Sequence, residues 1–458
     1  MLGHPTTQCL LFPGLFRKAL AVCFDFEHGS SDGGAVLLKA ADRRLGLIRR
    51  LAACLEDRRA PGKITHDIAE ILAQRIFGIA CGYPDANDAA RLAEDPMHKL
   101  LLDRDPIAGA DLASQPTLSR FENTPGVREI VRFGTTLAET VIERHRDRRR
   151  GQARRITLDF DVTKDPTHGA QQLSFFHGYY DTWCYLPLLG FFTFDDEPEQ
   201  FLFAAVLRPG NAPDKQGVLA LLKRALPRLR AAFPRARLLV RLDGGFASPE
   251  LLAHLDAEPR VDYVVGLAKN KVLRRRARRL MAKARHLARL TGRTAHIYGE
   301  CSYQARTWSL PRRVIIKAEV VQHPGRAPKD NARFVVTNLQ QSPSWVYRAV
   351  YCQRGEIENR IKELQSGLGL GRTSCSRFRA NQLRVLLTAT AYALMQELRL
   401  HAHHTVCARA QVATLRERLL KLGAWITVSV RRVVIHLPTA FPYRGAWNHI
   451  ACSLGGSS

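Results

Sequence analysis

Three acidic positions stand out in a chain with 69 Lys plus Arg against 42 Asp plus Glu, a net charge of +27. They are the pair Asp159/Asp161 in ITLDFDVT, Asp243 in RLLVRLDGG, and Glu358 in YCQRGEIENRIKELQ. Dispersed carboxylates are hard oxygen ligands. They suit Mg²⁺, with Mn²⁺ as the alternative ion, and two such ions about 3.5–4 Å apart drive phosphoryl transfer. Each acid also has an ordinary structural explanation. Asp243 can cap a helix, and Glu358 can pair with Lys362 at i, i+4. Any one of them alone is unremarkable; three in this order, on the elements below, point to a metal-dependent site.

Those elements are legible from periodicity. In ITLDFDVT, Ile156, Leu158, Phe160 and Val162 alternate with Thr157, Asp159, Asp161 and Thr163, the pattern of a half-buried strand. Both aspartates therefore share a face. RLLVRLD (237–243) reads as a strand ending at Asp243, and the glycines that follow let another group come close. The segment around Glu358 reads as a helix running from about Trp345 to Ser366. At about 100° per residue, Tyr351, Arg354, Glu358, Lys362 and Gln365 form one polar stripe. Ile357, Ile361, Leu364 and Leu368 form a neighbouring apolar one. The helix thus has a packing face and a chemical face, and Arg354 and Lys362 are placed to hold phosphates.

The expected order around these elements is three strands, helix, strand, helix, strand, which suits a mixed α/β sheet with helices on its faces. The strands are 156–163, 184–194, 201–207, 237–243 and 261–268, with helices at 215–232 and 248–256. Residues 1–150 read as a mainly helical region that binds DNA. Residues 151–270 form the first part of the core, 271–343 a β-rich insertion, 344–400 the Glu-bearing helices and 401–458 a basic C-terminal region. The 144–155 run RHRDRRRGQARR is read as a phosphate contact, against a solvated helix end. Residues 270–293 are strongly basic, as helix or loop, and 424–437 alternates like a strand.

The charge calls for a polyanion, and basic residues spread along the whole chain favour nucleic acid over a membrane surface. No run of eighteen apolar residues occurs, so no transmembrane helix is expected. The stretch 10–26 reads as a local N-terminal element rather than a signal peptide. The ten cysteines include no C-x-x-C pair, which argues against a zinc ribbon. The chain reads as cytoplasmic, with reduced thiols. Walker and G-x-G-x-x-G patterns are absent, so no nucleotide cofactor is expected. His168 reads as a turn histidine bonded to the backbone, with orienting water or contacting DNA as the alternative, and HAHH (401–404) reads as solvated rather than metal-binding. Trp308, Trp345 and Tyr347 read as packing aromatics, with stacking on an unpaired base as the alternative.

The spacing Y-x₂-R-x₃-E at Tyr351, Arg354 and Glu358 resembles the signature of bacterial insertion-sequence DDE transposases of the Tn-five-like group. LDFDVTKDPTHGAQ (158–171), RLDGGF (241–246), GGAVLL (33–38), IACGYPDANDA (79–89) and QPTLSRFEN (115–123) are similar to the insertion-sequence family numbered thirteen-eighty. The resemblance implies an RNase H-like core with a β-rich insertion before the Glu. It implies two-ion Mg²⁺-dependent cleavage and strand transfer at terminal inverted repeats and target DNA, and a homodimer on a nucleoid-associated DNA complex. It assigns Asp161, followed by Thr163 at the D-x-T spacing, Asp243 and Glu358 as catalytic metal ligands, with Asp159 as the fallback and Tyr351, Arg354 and Lys362 in support. Relatives often carry a Lys seven residues after the Glu; here Gln365 stands there. A nuclease without strand transfer and a non-catalytic DNA-binding descendant are the competing functions.

Overall fold

In the computed structural model, which describes residues 9–457, the alternating segment becomes strand β1 (Arg155–Val162) at the heart of an eight-stranded sheet. Ile156, Leu158 and Phe160 are fully buried on one face. The other strands are β2 (Leu188–Phe194), β3 (Phe201–Val206), β4 (Arg237–Leu242), β5 (Val261–Leu267), β6 (Ala295–Tyr303), β7 (Arg312–Val321) and β8 (Lys329–Thr337). Their spatial order is β6-β7-β8-β5-β4-β1-β2-β3. β1, β4 and β5 are parallel, and β2 runs antiparallel to β1 and β3. Parallel neighbours need long crossovers. The first is helix α4 (Val218–Ala232, preceding β4) and the second α5 (Pro249–Ala257, preceding β5). This is the mixed α/β architecture expected.

The N-terminal third is helical, as its periodicity predicts, with α1 (Val36–Leu45), α2 (Ile68–Cys81) and α3 (Val127–Arg148) its main members. All three pack in one core with α8 (Phe378–His401) and the sheet. Burial at consecutive positions of α8, Leu383 through Leu387, shows that it is enclosed on all sides. Glu122 ties the parts together. Its carboxylate accepts from Arg75 of α2 at 2.9 Å and Arg384 of α8 at 2.7 Å, all three side chains being buried.

Helix α6 (Lys271–Thr291) and strands β6–β8 occupy the expected β-rich insertion. They do not make a sheet of their own. β8 pairs antiparallel with β5, so the insertion extends the central sheet at one edge. β6 was not foreseen, because its alternation (AHIYGECSY) is broken by Gly299, where a Cβ would meet Leu280 of α6 at 2.6 Å. The single strand expected over 424–437 is instead a hairpin, Ala424–Ser429 with Arg432–His436. Its period of two runs through the turn, which masks the reversal. The expectation of uniformly reduced thiols is also corrected: Cys9 and Cys23 form a disulfide. The hairpin register Leu10↔Val22 puts positions 9 and 23 opposite each other, with Cα atoms 4.4 Å apart, within disulfide reach. Among the described residues no helix is long and apolar enough to cross a membrane.

Candidate active site

β1 and β4 are adjacent and parallel, with Leu238 opposite Ile156 and Arg241 opposite Asp159. Asp161 and Asp243 therefore emerge together at the C-terminal ends of two neighbouring strands, where α/β sheets commonly open a crevice. Opposite them runs α7, one helix over 343–367. It has wider π-type turns at Val346–Val350 and Glu363–Gly367 and a tighter turn at Tyr351–Gly355. Its apolar stripe is buried as expected: Ile357, Ile361, Leu364 and Leu368 are all under one-tenth exposed. The N-terminal turns pack Val346, Tyr347 and Val350 on Leu239, Val264, Ile315 and Val335 of the sheet.

From the polar stripe, Arg354 reaches both aspartates. Its Nη1 donates to Asp161 Oδ2 at 3.0 Å, and its Nη2 lies 3.6 Å from Asp243 Oδ2. Asp161 is mostly buried and Asp243 about half exposed. Burial pushes the Asp161 carboxyl above its ordinary value, and the Asp243 charge adds to this, while Arg354 pulls it back. Burial disfavours the Arg354 cation too, but the two aspartates outweigh it and raise its pKa. The pair of carboxylates thus creates a demand for positive charge that a guanidinium now meets.

Asp243 also caps the short turn Gly244–Phe246, its Oδ1 accepting from Gly245 N–H at 2.9 Å. The ordinary capping role is real, and its second oxygen stays free to face Arg354. The glycines work as anticipated. A Cβ on Gly245 would collide with the Asp214 carboxylate, and one on Gly266 would sit 2.6 Å from Gly244 N and 2.9 Å from the Tyr351 hydroxyl. Tyr351 is thereby lodged beside Asp243, and burial raises its phenol pKa. Asp214 is an exposed carboxylate at the site that sequence reasoning missed. It lies in a loop with no periodicity, so only the fold brings it to Gly245.

Glu358 is exposed, and among the described residues no hydrogen bond or ion pair involves it, so the i, i+4 pair with Lys362 does not form. It follows Arg354 by four residues on the same helix side. Gln365 holds the far end of that side: its Nε2 donates to Thr163 Oγ1 at 2.6 Å and to the Lys164 carbonyl at 3.1 Å. Gln365 is thus a clamp on the segment following β1. The helix is fixed from behind by Glu363, which accepts from Tyr392 Oη and Arg399 Nη2, both at 2.6 Å.

Asp159 is corrected as a fallback ligand. It is fully buried, and both its oxygens are taken by Arg241, at 2.8 and 2.6 Å, with Gln200 donating at 3.0 Å. Arg241 continues to the Val350 carbonyl of α7 at 3.1 Å. Asp159 shares the face of Asp161 but lies two residues deeper, where it positions the helix.

The other singled-out residues separate cleanly. The basic run that ends α3 and follows it is largely paired within the chain, with Arg150 left exposed and in no ion pair among the described residues. Arg144 pairs with Glu397, Arg148 and Arg149 with Glu197, Arg149 with Asp195, and Arg154 and Arg155 with Asp196. Most of the run is therefore committed to acids that lie about forty to two hundred and fifty residues away along the chain, which the sequence reading could not see. Trp308 and Tyr347 are buried and Trp345 exposed. His168 is exposed and its side chain makes no hydrogen bond among the described residues, which corrects the reading of it as a backbone-bonded turn histidine.

The three acids do not bring one oxygen each within 4.8 Å; among the described residues only Asp32, Cys81 and His98 form such a group. There the demand is already met. Burial opposes ionisation of Asp32, but hydrogen bonds from His98 (3.0 Å) and Lys421 (2.7 Å) together lower its pKa, while burial pushes the Cys81 thiol up.

Asp165, four residues beyond Asp161, is buried with Oδ2 accepting from Thr373 Oγ1 at 2.7 Å and Oδ1 without a hydrogen-bond partner among the described residues. Burial raises its pKa from 3.8 to about 7. A folded-state value above the unfolded one gives stability that is fully present below about pH 4 and lost as pH rises to about 7. At about 1.4 kcal/mol per pH unit, the loss between pH 5 and 7 is on the order of 3 kcal/mol. Asp165→Asn should flatten this: the wild-type melting temperature falls from pH 5 to 8 and the variant's falls less. Parallel profiles would show that Asp165 is ionised throughout.

Two aspartates at adjacent parallel strand ends, sharing one arginine from a facing helix, define an acidic site on a mixed α/β sheet. Residues 12–456 match the model of the family described as transposase DDE domain group 1, and the chain belongs to that family. No curated protein matches it. Among solved structures it is similar to a piggyBac transposase in a synaptic complex with hairpin DNA, at 10% identity over 84% of this chain and 78% of that one, with a TM-score of 0.44.

Proposed function

We propose that this chain is an insertion-sequence DNA transposase that cuts at terminal inverted repeats and joins the ends to target DNA, with Asp161, Asp243 and Glu358 as its catalytic acids. The observation that carries this is the sharing of Arg354 by Asp161 and Asp243. Two carboxylates that share one cation form a place where positive charge is favoured, and divalent ions are the family's ordinary cation. The strand order β3-β2-β1-β4-β5, with β2 alone antiparallel, supports reading the sheet as an RNase H-like core.

Asp161 and Asp243 would hold Mg²⁺, in two-ion fashion, and Glu358 would complete the set from α7. Bound there, the ions would supply an activated nucleophile and charge neutralisation at the scissile phosphate. The chain's own residues prepare the site. Arg354 bridges the two aspartates and favours the charged form of Asp161 against its burial, and would be free to swing to a phosphate if a metal took its place. Tyr351, packed against Gly266, fixes the start of the polar stripe. Gln365 and Arg241 hold β1 and α7 in register. Lys362, exposed and unpaired among the described residues, is left to face a DNA backbone. Residues 1–150 and 401–458 would contribute further DNA contacts to a homodimer.

The test is an Mg²⁺-dependent assay on duplex taken from the DNA flanking the gene. Cleavage at an inverted repeat, followed by joining to a second duplex, is the expected result. Cleavage without joining would make the protein a nuclease, and binding without cleavage would make it a non-catalytic descendant.

A further inference from the structure

The two basic runs read from the sequence have opposite fates. The arginines after α3 are largely consumed by acids, as described above. Those of α6 are not. Nine of the 21 residues of α6 are Lys or Arg and none is acidic. Among the described residues only Arg285 has an acidic partner, Asp330. Lys271, Arg275, Arg278, Arg279, Lys283 and Arg289 are all exposed and in no ion pair.

The helix's apolar side is already used. Leu273, Ala277, Met281, Ala284 and Ala288 recur every three or four residues and are buried in the core that holds Val314, Ile316, Ala318 and Val320 of β7. The apolar side chains still exposed, Val272, Leu287 and Leu290, lie at the two ends of the helix among its basic residues, so no continuous apolar face remains to enter a bilayer, which an interfacial basic helix requires. What is left is a rigid cationic rod. From Lys271 to Arg289 it spans about 27 Å, and the cations other than Arg285 stand about one per 3.4 Å, against one phosphate charge per about 1.7 Å of duplex axis.

Its placement is distinct from the acidic site. Ile315, pointing to the other side of β7, packs with Val346, Tyr347 and Val350 of α7. α6 and α7 therefore cover opposite faces of the sheet. β7 is also four strand spacings from β1, roughly 19 Å. We propose that the outward face of α6 is a sequence-independent backbone-binding surface for duplex DNA, engaging a stretch other than the one at Asp161 and Asp243. This rests on the transposase reading for its choice of polyanion.

The test compares the full chain with a quartet variant (Arg275→Gln, Arg278→Gln, Arg279→Gln, Arg289→Gln), using flanking-DNA duplex and an unrelated duplex between 50 and 200 mM NaCl. Four lost phosphate contacts should reduce the slope of log K against log salt by about 3–4 and weaken binding by about tenfold or more, equally for both duplexes. The corresponding Arg→Lys quartet should keep the wild-type slope, since charge rather than fork geometry sets it. Circular dichroism and thermal melting check that both variants fold. A glutamine quartet with unchanged affinity and slope overturns the surface while leaving the transposase reading intact. A wild type that binds duplex through α6 but never cuts it does the reverse. A wild type that binds phosphatidylserine vesicles and not duplex overturns the proposal in favour of a membrane surface.

Discussion

Replacing Asp243 or Asp161 with Asn is expected to reduce DNA cleavage by about a hundred- to a thousandfold while DNA binding persists. Each substitution removes an oxygen ligand and a unit of charge from the place where negative charge is gathered, and losing one preorganised electrostatic contact at such a site costs about 10²–10³ in rate. The fold should tolerate both changes. Asp161 is held against a burial penalty that already favours its neutral form, and Asp243 can retain its cap through the Asn side-chain oxygen. Glu358→Gln should lose activity comparably without any change in melting temperature, because the Glu358 side chain is exposed and bonded to nothing among the described residues. Cleavage rates at saturating protein, with binding measured in parallel, separate these effects. Variants that all cut at the wild-type rate would dismiss the triad.

The second large effect concerns stability. Asp159→Ala leaves the Arg241 guanidinium, nine-tenths buried, facing an apolar strand without its counter-charge. Breaking a buried ion pair from one side costs about 3–5 kcal/mol. The loss reaches α7, because Arg241 also donates to Val350, so activity should fall with the fold. Pairing the change with Arg241→Met should recover most of the stability, since the uncompensated charge goes with it. Thermal melts of the single and double variants decide the matter. If the single variant melts like the wild type, Asp159 is not structural and its candidacy as a metal ligand reopens.

These two predictions treat aspartates two residues apart on one strand face in opposite ways, and the distinction shows what sequence can and cannot carry. Strand alternation placed Asp159 and Asp161 on the same side, and that is what the sheet has. Depth along the strand depends on which residues lie across it. Arg241 sits opposite Asp159 because β4 pairs with β1 at that register, and no local pattern records a register between segments some eighty residues apart. The same holds for charge. A run of arginines and a helix of arginines look alike in composition, but Asp195, Asp196 and Glu197 fold back on the first, while among the described residues only Asp330 pairs with the second.

The sequence by itself determined the types of the elements around the site, the faces of β1 and α7, the strand-end position of Asp243 and the glycines beside it, because these follow from periodicity and backbone freedom over a few residues. Tertiary structure alone decided that β6–β8 join the main sheet, that Arg354 bridges two aspartates, that Gln365 is a clamp and that Asp214 stands over Gly245. Pairing register, the irregular turns of α7 and long-range ion pairs are set by contacts between distant segments. Their energies appear only once the chain has closed on itself.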